Sequence, residues 1–596
     1  MLRRSTLLIF FSIVSLFISG CSIFATNAYQ APESAQIEVS PWRIIDRAPP
    51  GTPGGTLRVT EFGSGPKTFN PTVANESSSN DITGETFSAL MDYDFKAKKV
   101  VGALAYKWES SPDKKVWTFH LRKGLRWSDG VPLTADDVVF TFQVIYDPKV
   151  ENPNRDIAQV ARKPFRCEKI DETTVRIILP GVYAPLGFAL GSIQIVPKHI
   201  LEHSLLNGTF SNEYGLNTPP EKIVSSGPFR LKAYVPQQKV VLERNPYFYA
   251  KDVEGQRLPY LDRIVVSYVP DMNTQFLKFI SGETDVFAEF PARFYDDLKQ
   301  GEAIGHYHLV ETGPQAATPF FVFNENPKYL DPVKYQWFTN RLFRQAMSYA
   351  VNREAMIRLA HSGQGYPATQ DFHPTSPFFD PKVKPFPYDP EKARELLKEA
   401  GFIYKNGKLF DATGHQVQFT LLTNSGNAER RIKGELFKED LAKIGIEMNF
   451  HPVDFNQLVT KLDSSFDWEA IEIGLVDTGS SIEPSNAQNV WLSTGFTHEW
   501  YPRQKKPATP WEAEIDRLVY AGTGTFDLEK RKKIYGRIEE ILYVEELPMI
   551  LTTVSADFYA FRDNVGNALP TSIGRFWSNC SDDMLMCQVF MKKPAP

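Results

Sequence analysis

The sequence predicts a mixed α/β body of at least two lobes, preceded by an export segment and a tether. A length of 596 residues exceeds what one ordinary core accommodates. The first half of the body reads as strands broken by Gly/Pro/Asp turns, and the second half changes to strand–helix–strand at the spacing parallel strands require. No short-period internal repeat is present. A formal charge of −5, with 42% hydrophobic and 23% charged residues, suits a globular protein and offers no basic footprint for nucleic acid.

The N-terminus is the most informative end. Arg3 and Arg4 precede the uncharged run LLIFFSIVSLFI at residues 7–18. That run is shorter than the roughly 20 residues of a membrane span, as in a cleaved export signal. It leads into Ile18-Ser19-Gly20-Cys21, a match to the bacterial lipobox, in which small residues admit a peptidase before a cysteine that becomes lipidated. The alternative is a signal-anchor helix with an incidental cysteine. Residues 1–21 are expected to be a lipoprotein signal, and diacylglycerol with an N-acyl chain at Cys21 suffices for stable anchoring. Residues 22–50, rich in Ala, Ser, Pro and Gln, read as a flexible tether. Among the other cysteines, Cys580 and Cys587 close a short loop in which an oxidising envelope permits a disulfide worth about 2–3 kcal/mol, leaving Cys167 reduced.

Along the body, GGTLRVTEF reads as a strand, followed by a punctuated loop ending in FNP. In VWTFHL, Trp117, Phe119 and Leu121 alternate with Val116, Thr118 and His120, the period of a half-buried strand. The charge-dense stretch after it, LRKGLRWSDGVPLTADDVVFTF, resolves into turns at Gly124 and Gly130 and a helix start. There Thr134 is the N-cap and Asp137 its capping-box partner, so the stretch is scaffold. GPFRLKAYVPQQKVVLERNPYF predicts a hairpin turning at Pro236–Gln238, and LDRIVVSYV a strand with Ile264, Val266 and Tyr268 on one face. TQFLKFISGETDVFAEF predicts a helix, a glycine stop and a strand. YDPEKARELLKEAGF predicts a helix with Asp389 as N-cap, Pro390 first, Gly401 past its end and a stripe of Ala393, Leu396, Leu397 and Ala400. VQFTLLT, the helix through RIKGELFKEDLAKIG, and IEMNFHPVD then form a βαβ unit.

Two constellations carry possible chemistry. His199, Glu202 and His203 spell HxxEH, which on a helix places two imidazoles one turn apart for zinc with Glu202 as general base. The competing reading is an amphipathic helix with two histidines on its polar face. No GxSxG elbow, Walker loop or GxGxxG is present, so no other catalytic site is expected. The second constellation is the set of aromatics in Pro/Gly/Ser-rich stretches, Trp491, Trp500 and Trp511, near Asp477, Ser480 and Asn486, suited to a cleft for a partly apolar ligand.

The stretch from Leu121 resembles a signature of the family 5 extracellular solute-binding proteins, the large oligopeptide-, dipeptide- and nickel-binding receptors of ABC importers. SSGPFRLKAY, ISGETDVF, NRLFRQAMSYAVNREAMI, YDPEKARELLKEAGF, WEAEIDRLV and RKKIYGRIEEILYVEELPMI resemble further blocks in the family's order, across residues 54–555. The resemblance implies a type II periplasmic-binding-protein fold, with two α/β lobes around a ligand cleft and an extra α+β domain. By that likeness, lobe I comprises residues 51–75, 190–310 and 545–596, the extension 76–189 and lobe II 311–544. It implies a monomeric, non-catalytic receptor without cofactor or resident metal, held at the extracytoplasmic face of a membrane. The receptor would capture di- to oligopeptides and deliver them to the importer's permease subunits. An oligosaccharide, a nickel chelate or another small solute is the alternative ligand, and a zinc hydrolase using His199 and His203 the remote alternative. The family's amine-binding aspartate precedes an acidic-Pro-x-Asn string, here Glu483-Pro484-Ser485-Asn486, which makes Asp477 its counterpart. Asn75, Glu76 and Ser77 resemble the segment that lines the ligand from lobe I, with Trp491 and Asn486 as further candidates.

Overall fold

The computed structural model describes residues 42–94, 98–476, 481–570 and 585–592. The body begins with β1 (Thr56–Phe62) and α1 (Ser77–Thr86). It continues through β2 (Ala105–Ser110), β3 (Val116–Leu121), α2 (Ala135–Tyr146), β4 (Arg166–Asp171), β5 (Thr174–Ile178) and α3 (Lys198–Asn207). Next come β6 (Phe229–Val235), β7 (Lys239–Arg244), β8 (Arg263–Val269), α4 (Met272–Ile280), β9 (Val286–Phe287) and β10 (Tyr307–Pro314). The other lobe holds β11 (Ala317–Phe323), α5 (Pro390–Glu399), β12 (Gln418–Asn424), α6 (Ala428–Lys443), β13 (Glu447–Val453), α7 (Phe455–Thr460), β14 (Ala470–Val476), α8 (Pro510–Thr523) and β15 (Met549–Leu551). β16 (Thr553–Arg562) returns the chain to the first.

Lobe I contains a sheet ordered β6-β7-β8-β1, in which β8 and β1 run parallel, and a small antiparallel sheet β9-β16-β10. The extension is an antiparallel sheet β2-β3-β5-β4 covered by α2. Lobe II is a mixed sheet β13-β12-β14-β11-β15, whose first three strands are parallel because α6 supplies the crossover. The chain passes between lobes twice, after β10 and after β15. The two passages lie side by side: the Gln315 amide donates to Ser555 (3.0 Å) and the Thr552 amide to Pro319 (2.9 Å).

Lobe I and the extension share one apolar core that includes Leu57, Trp117, Trp127, Phe140 and Tyr260. Lobe II buries both faces of its sheet separately. Phe321, Phe323 and Phe437 lie on one side, and Phe320, Trp491 and Trp500 on the other. Period two along β11 puts alternate phenylalanines on opposite faces, so a run that is apolar throughout is what a strand covered on both sides requires.

The charge-dense stretch is scaffold. Thr134 and Asp137 form the capping box of α2, and Gly124 and Gly130 take positive φ in the turns. The Asp137 carboxylate also accepts from the Trp127 indole (3.3 Å) and from the Lys198 amide at the start of α3 (2.9 Å). One buried side chain thus ties a turn and two helix starts together. The Pro236–Gln238 turn, the glycine stop at Gly282 (φ +81) and the cap of α5 by Asp389 all take the form their residue types dictate. Cys167 is a free thiol that burial pushes up to about 12. Cys587 is a buried free thiol, and its expected partner Cys580 lies outside the described residues, as does Cys21.

Replacing Asp137 with Ala leaves three donors without their acceptor. The variant is expected to lose about 2–4 kcal/mol, read as a lowered urea midpoint for the transition that melts the extension.

Candidate functional site

Between the lobes lies a cavity of about 580 Å³. Opposite lobe II, its wall includes the end of β1, the first turns of α1, which the expected boundaries put in the extension, and Met272 and Gln275 of α4. Glu76 is the N-cap of α1: its carboxylate accepts from the Ser79 amide (3.0 Å), and burial pushes its carboxyl up against that bond. Ser77 lines the cavity directly. Asn75 faces across the gap, its Nδ2 donating to Asp463 Oδ2 at 2.7 Å. A second polar bridge runs from Ser64 Oγ to Asp454 Oδ2 (2.9 Å), at the N-cap of α7. The lobes are therefore in contact around the cavity.

The lobe II wall presents Ile473, Gly474 and Leu475 of β14 and, beside them, α6. β14 pairs with β12 only through Ala470 and Ile471. From Glu472 onward, no strand among the described residues covers that edge. The segment after β14, residues 477–480, includes Asp477 and lies outside the described residues.

Behind this edge is a buried charge cluster. Lys433 Nζ sits 3.5 Å from Glu472 Oε1, and His361 Nδ1 sits 3.4 Å from Glu429 Oε2. Arg430 donates to Asn424 Oδ1 at 2.9 Å. Burial pushes Glu472 up to about 7 and lowers Lys433, the direction each takes when its charged form is taken out of water. Sequence reasoning missed this cluster. The available signal is Lys433, a charge that shares the buried face of α6 with Gly434, Phe437 and Leu441, as Asp440 does further along the helix.

The predicted residues separate into two groups. Asn75, Glu76, Ser77 and Asn486 all line the cavity. Trp491 does not: it is fully buried in the lobe II core, its indole donating to Asp371 Oδ2 at 2.8 Å from behind the wall. Trp500 is buried likewise, and Trp511 packs on that core. Each belongs to a helix or tight turn that turns its ring inward, so irregular composition was a poor guide to exposure. His199 and His203 lie on the outer surface of α3, with Asp129 (2.8 Å) and Asn207 (2.8 Å) as their partners. Among the described residues, no cluster of three metal-binding side chains occurs.

Residues 99–497 match the profile of the bacterial extracellular solute-binding proteins, family 5, middle region. The chain belongs to this family. A probable ABC transporter-binding protein of Deinococcus radiodurans is 30% identical over 534 residues, covering 86% of this chain and 89% of that one. The dipeptide-binding protein of Escherichia coli is 26% identical over 543 residues, covering 87% and 93%. The solved oligopeptide-binding protein AppA of Bacillus subtilis, in complex with a nonapeptide, superposes with a TM-score of 0.77 at 26% identity, covering 91% of this chain and all of that one. The fold is the type II periplasmic-binding-protein fold. As a family 5 member, the protein is an extracytoplasmic, non-enzymatic transport receptor of the ABC substrate-binding class.

Burial pushes the Asp463 carboxyl up to about 6 from an ordinary 3.8, despite the opposing charges of Lys67 and Arg503. It holds its proton more tightly folded than unfolded. Its contribution to stability is therefore complete below 3.8 and lost as pH rises through about 6. Asp463→Asn removes that titration and should flatten the fall in melting temperature between pH 4 and pH 7, by an amount equivalent to about 2–3 kcal/mol.

Proposed function

We propose that this receptor captures di- to oligopeptides in the interlobe cleft and delivers them to an ABC importer while tethered to a membrane through lipid on Cys21. The observation that carries the peptide reading is the uncovered edge of β14, which lines the same cavity as the first turn of α1. An extended peptide laid there gains main-chain hydrogen bonds as an added strand, whatever its side chains. Two relatives support the same ligand class, the dipeptide-binding protein and the nonapeptide-bound oligopeptide-binding protein.

In this reading Asp477 pairs with the ligand's α-amino group through a charge-assisted bond worth about 1.5–3 kcal/mol. Asn75, Glu76, Ser77 and Asn486 line the bound ligand. Closure over the ligand changes the surface that the permease meets, so loaded and empty receptors are distinguished.

Native mass spectrometry of the protein expressed without residues 1–21, before and after mild unfolding, should release a ladder of short peptides. Asp477→Ala should weaken binding of those peptides more than tenfold while leaving the melting temperature of the empty form unchanged. A single released sugar or metal chelate would replace the ligand assignment and leave the receptor class standing. Cys21→Ser should move the full-length protein from the membrane fraction to the soluble fraction; retention in the membrane would remove the lipid anchor.

A further inference from the structure

Ten carboxyl side chains line the cavity against only two permanent cations, Arg430 and Lys433, among the described residues. Both cations already serve lobe II groups, Arg430 through Asn424 and Lys433 through Glu472. Some of the carboxyls are answered from nearby, Asp92 by Arg43 at 2.7 Å and Glu429 by His361 at 3.4 Å, yet the balance of the lining side chains is acidic and favours a positively charged occupant.

One carboxyl stands apart from the rest. Glu499 is 4% exposed and lines the cavity, yet among the described residues no cation, amide or hydroxyl donates to it. The charge bearing on it is another carboxylate, Asp463, which lines the same wall. Asp463 takes one hydrogen bond from Asn75 and feels Lys67 and Arg503, with the extension's Glu151 opposing them. Among the described residues, no cation bears on Glu499 in the same way.

The backbone explains why Glu499 points where it does. His498 and Trp500 on either side are both fully buried, and both hydrogen bond to Glu512 Oε1, at 3.3 and 3.2 Å. Glu512 is itself locked by the Thr509 amide (2.9 Å), the Ala508 amide (2.7 Å) and the Gln504 side chain (3.1 Å). The Trp500 carbonyl accepts from the Glu325 amide at 2.6 Å. With both neighbours anchored into lobe II, the side chain between them is held toward the cavity. A buried carboxyl serving only the packing of lobe II would find a donor within that lobe.

We propose that Asp463 and Glu499 form a carboxylate subsite that takes a cationic group of the solute, an ammonium or a guanidinium. Resting on the peptide reading, the group is a lysine or arginine side chain. The receptor then selects basic peptides by the position of that side chain along the strand-like ligand. Burial and their mutual repulsion favour the protonated form of both carboxyls, and a guanidinium or ammonium arriving between them relieves that repulsion and is matched by two groups better than by one.

The test is calorimetric titration of the wild-type protein with alanine tetrapeptides carrying lysine, norleucine or glutamate at each position in turn. At one position lysine should bind at least tenfold tighter than norleucine. Glu499→Gln should bring that ratio near one while holding norleucine affinity within twofold, and Asp463→Asn should lower it in part. Equal affinity for lysine and norleucine at every position would remove the subsite and leave the peptide reading intact. A lysine preference that survives in Glu499→Gln would also overturn the assignment. Failure of all the peptides to bind would overturn the peptide reading itself, and with it the ligand assigned to this pair.

Discussion

The rest of the structure depends on the pair of adjacent passages between the lobes. Gln315 is bonded to Ser555 and Thr552 to Pro319, so the two strands cross as a ribbon and not as separate linkers. A two-stranded ribbon twists and bends readily, but its hydrogen-bond register resists sliding. Two hydrogen-bonded passages constrain how the lobes are set against each other more than two separate linkers would. Away from the ribbon the lobes meet again through the bridges from Asn75 to Asp463 and from Ser64 to Asp454.

Lobe II holds its side of the cleft with buried polar groups as well as apolar packing. Arg344 bonds Glu325 at 3.0 Å, and Arg531 forms a two-bond pair with Glu483, just ahead of the cavity-lining Asn486. Such pairs add little net stability once desolvation is counted, but losing one partner strands a charge in the interior. Their value here is positional. Pro484 and Asn486 follow a side chain that cannot move independently of the helix bearing Arg531, and Glu499 sits between two residues bound to Glu512. Rigid walls of this kind let a cleft discriminate ligands by charge placement.

Much of the fold was legible because local chemistry and tertiary packing agree. The alternation in VWTFHL, the capping box at Thr134 and Asp137, the helix after Asp389 and the βαβ unit around α6 all follow from period and cap residues, and all occur. The lobe I side of the site was reached through the family resemblance and not through local chemistry: Asn75, Glu76 and Ser77 line the cavity, and Glu76 caps a helix that the sequence expectations do not include. The aromatic inference at Trp491 failed because the sequence around it is rich in loop formers, whereas burial depends on partners distant in sequence, such as Asp371 and Tyr535. The charges on α6 and the carboxyl of Glu499 were invisible for the same reason. Nothing local distinguishes Glu499 from a solvated loop glutamate until His498 and Trp500 are seen to be anchored.

The position of β16 at the centre of the small lobe I sheet bears on the order in which the chain acquires structure. β9 and β10 flank it, yet both precede all of lobe II, and β16 follows. As the chain emerges, those two strands wait with unpaired edges until residue 553 and beyond arrive, while everything lobe II needs lies between its own two ends. Lobe II is thus an insert whose sheet is complete within its own stretch, whereas the small sheet of lobe I needs strands from both sides of it. Gln588, beyond β16, then seals the amides of Arg47 and Ala48 near the start of the body. Lobe I is in this way built from chain on both sides of lobe II, and the start of the body is pinned by a residue from beyond it.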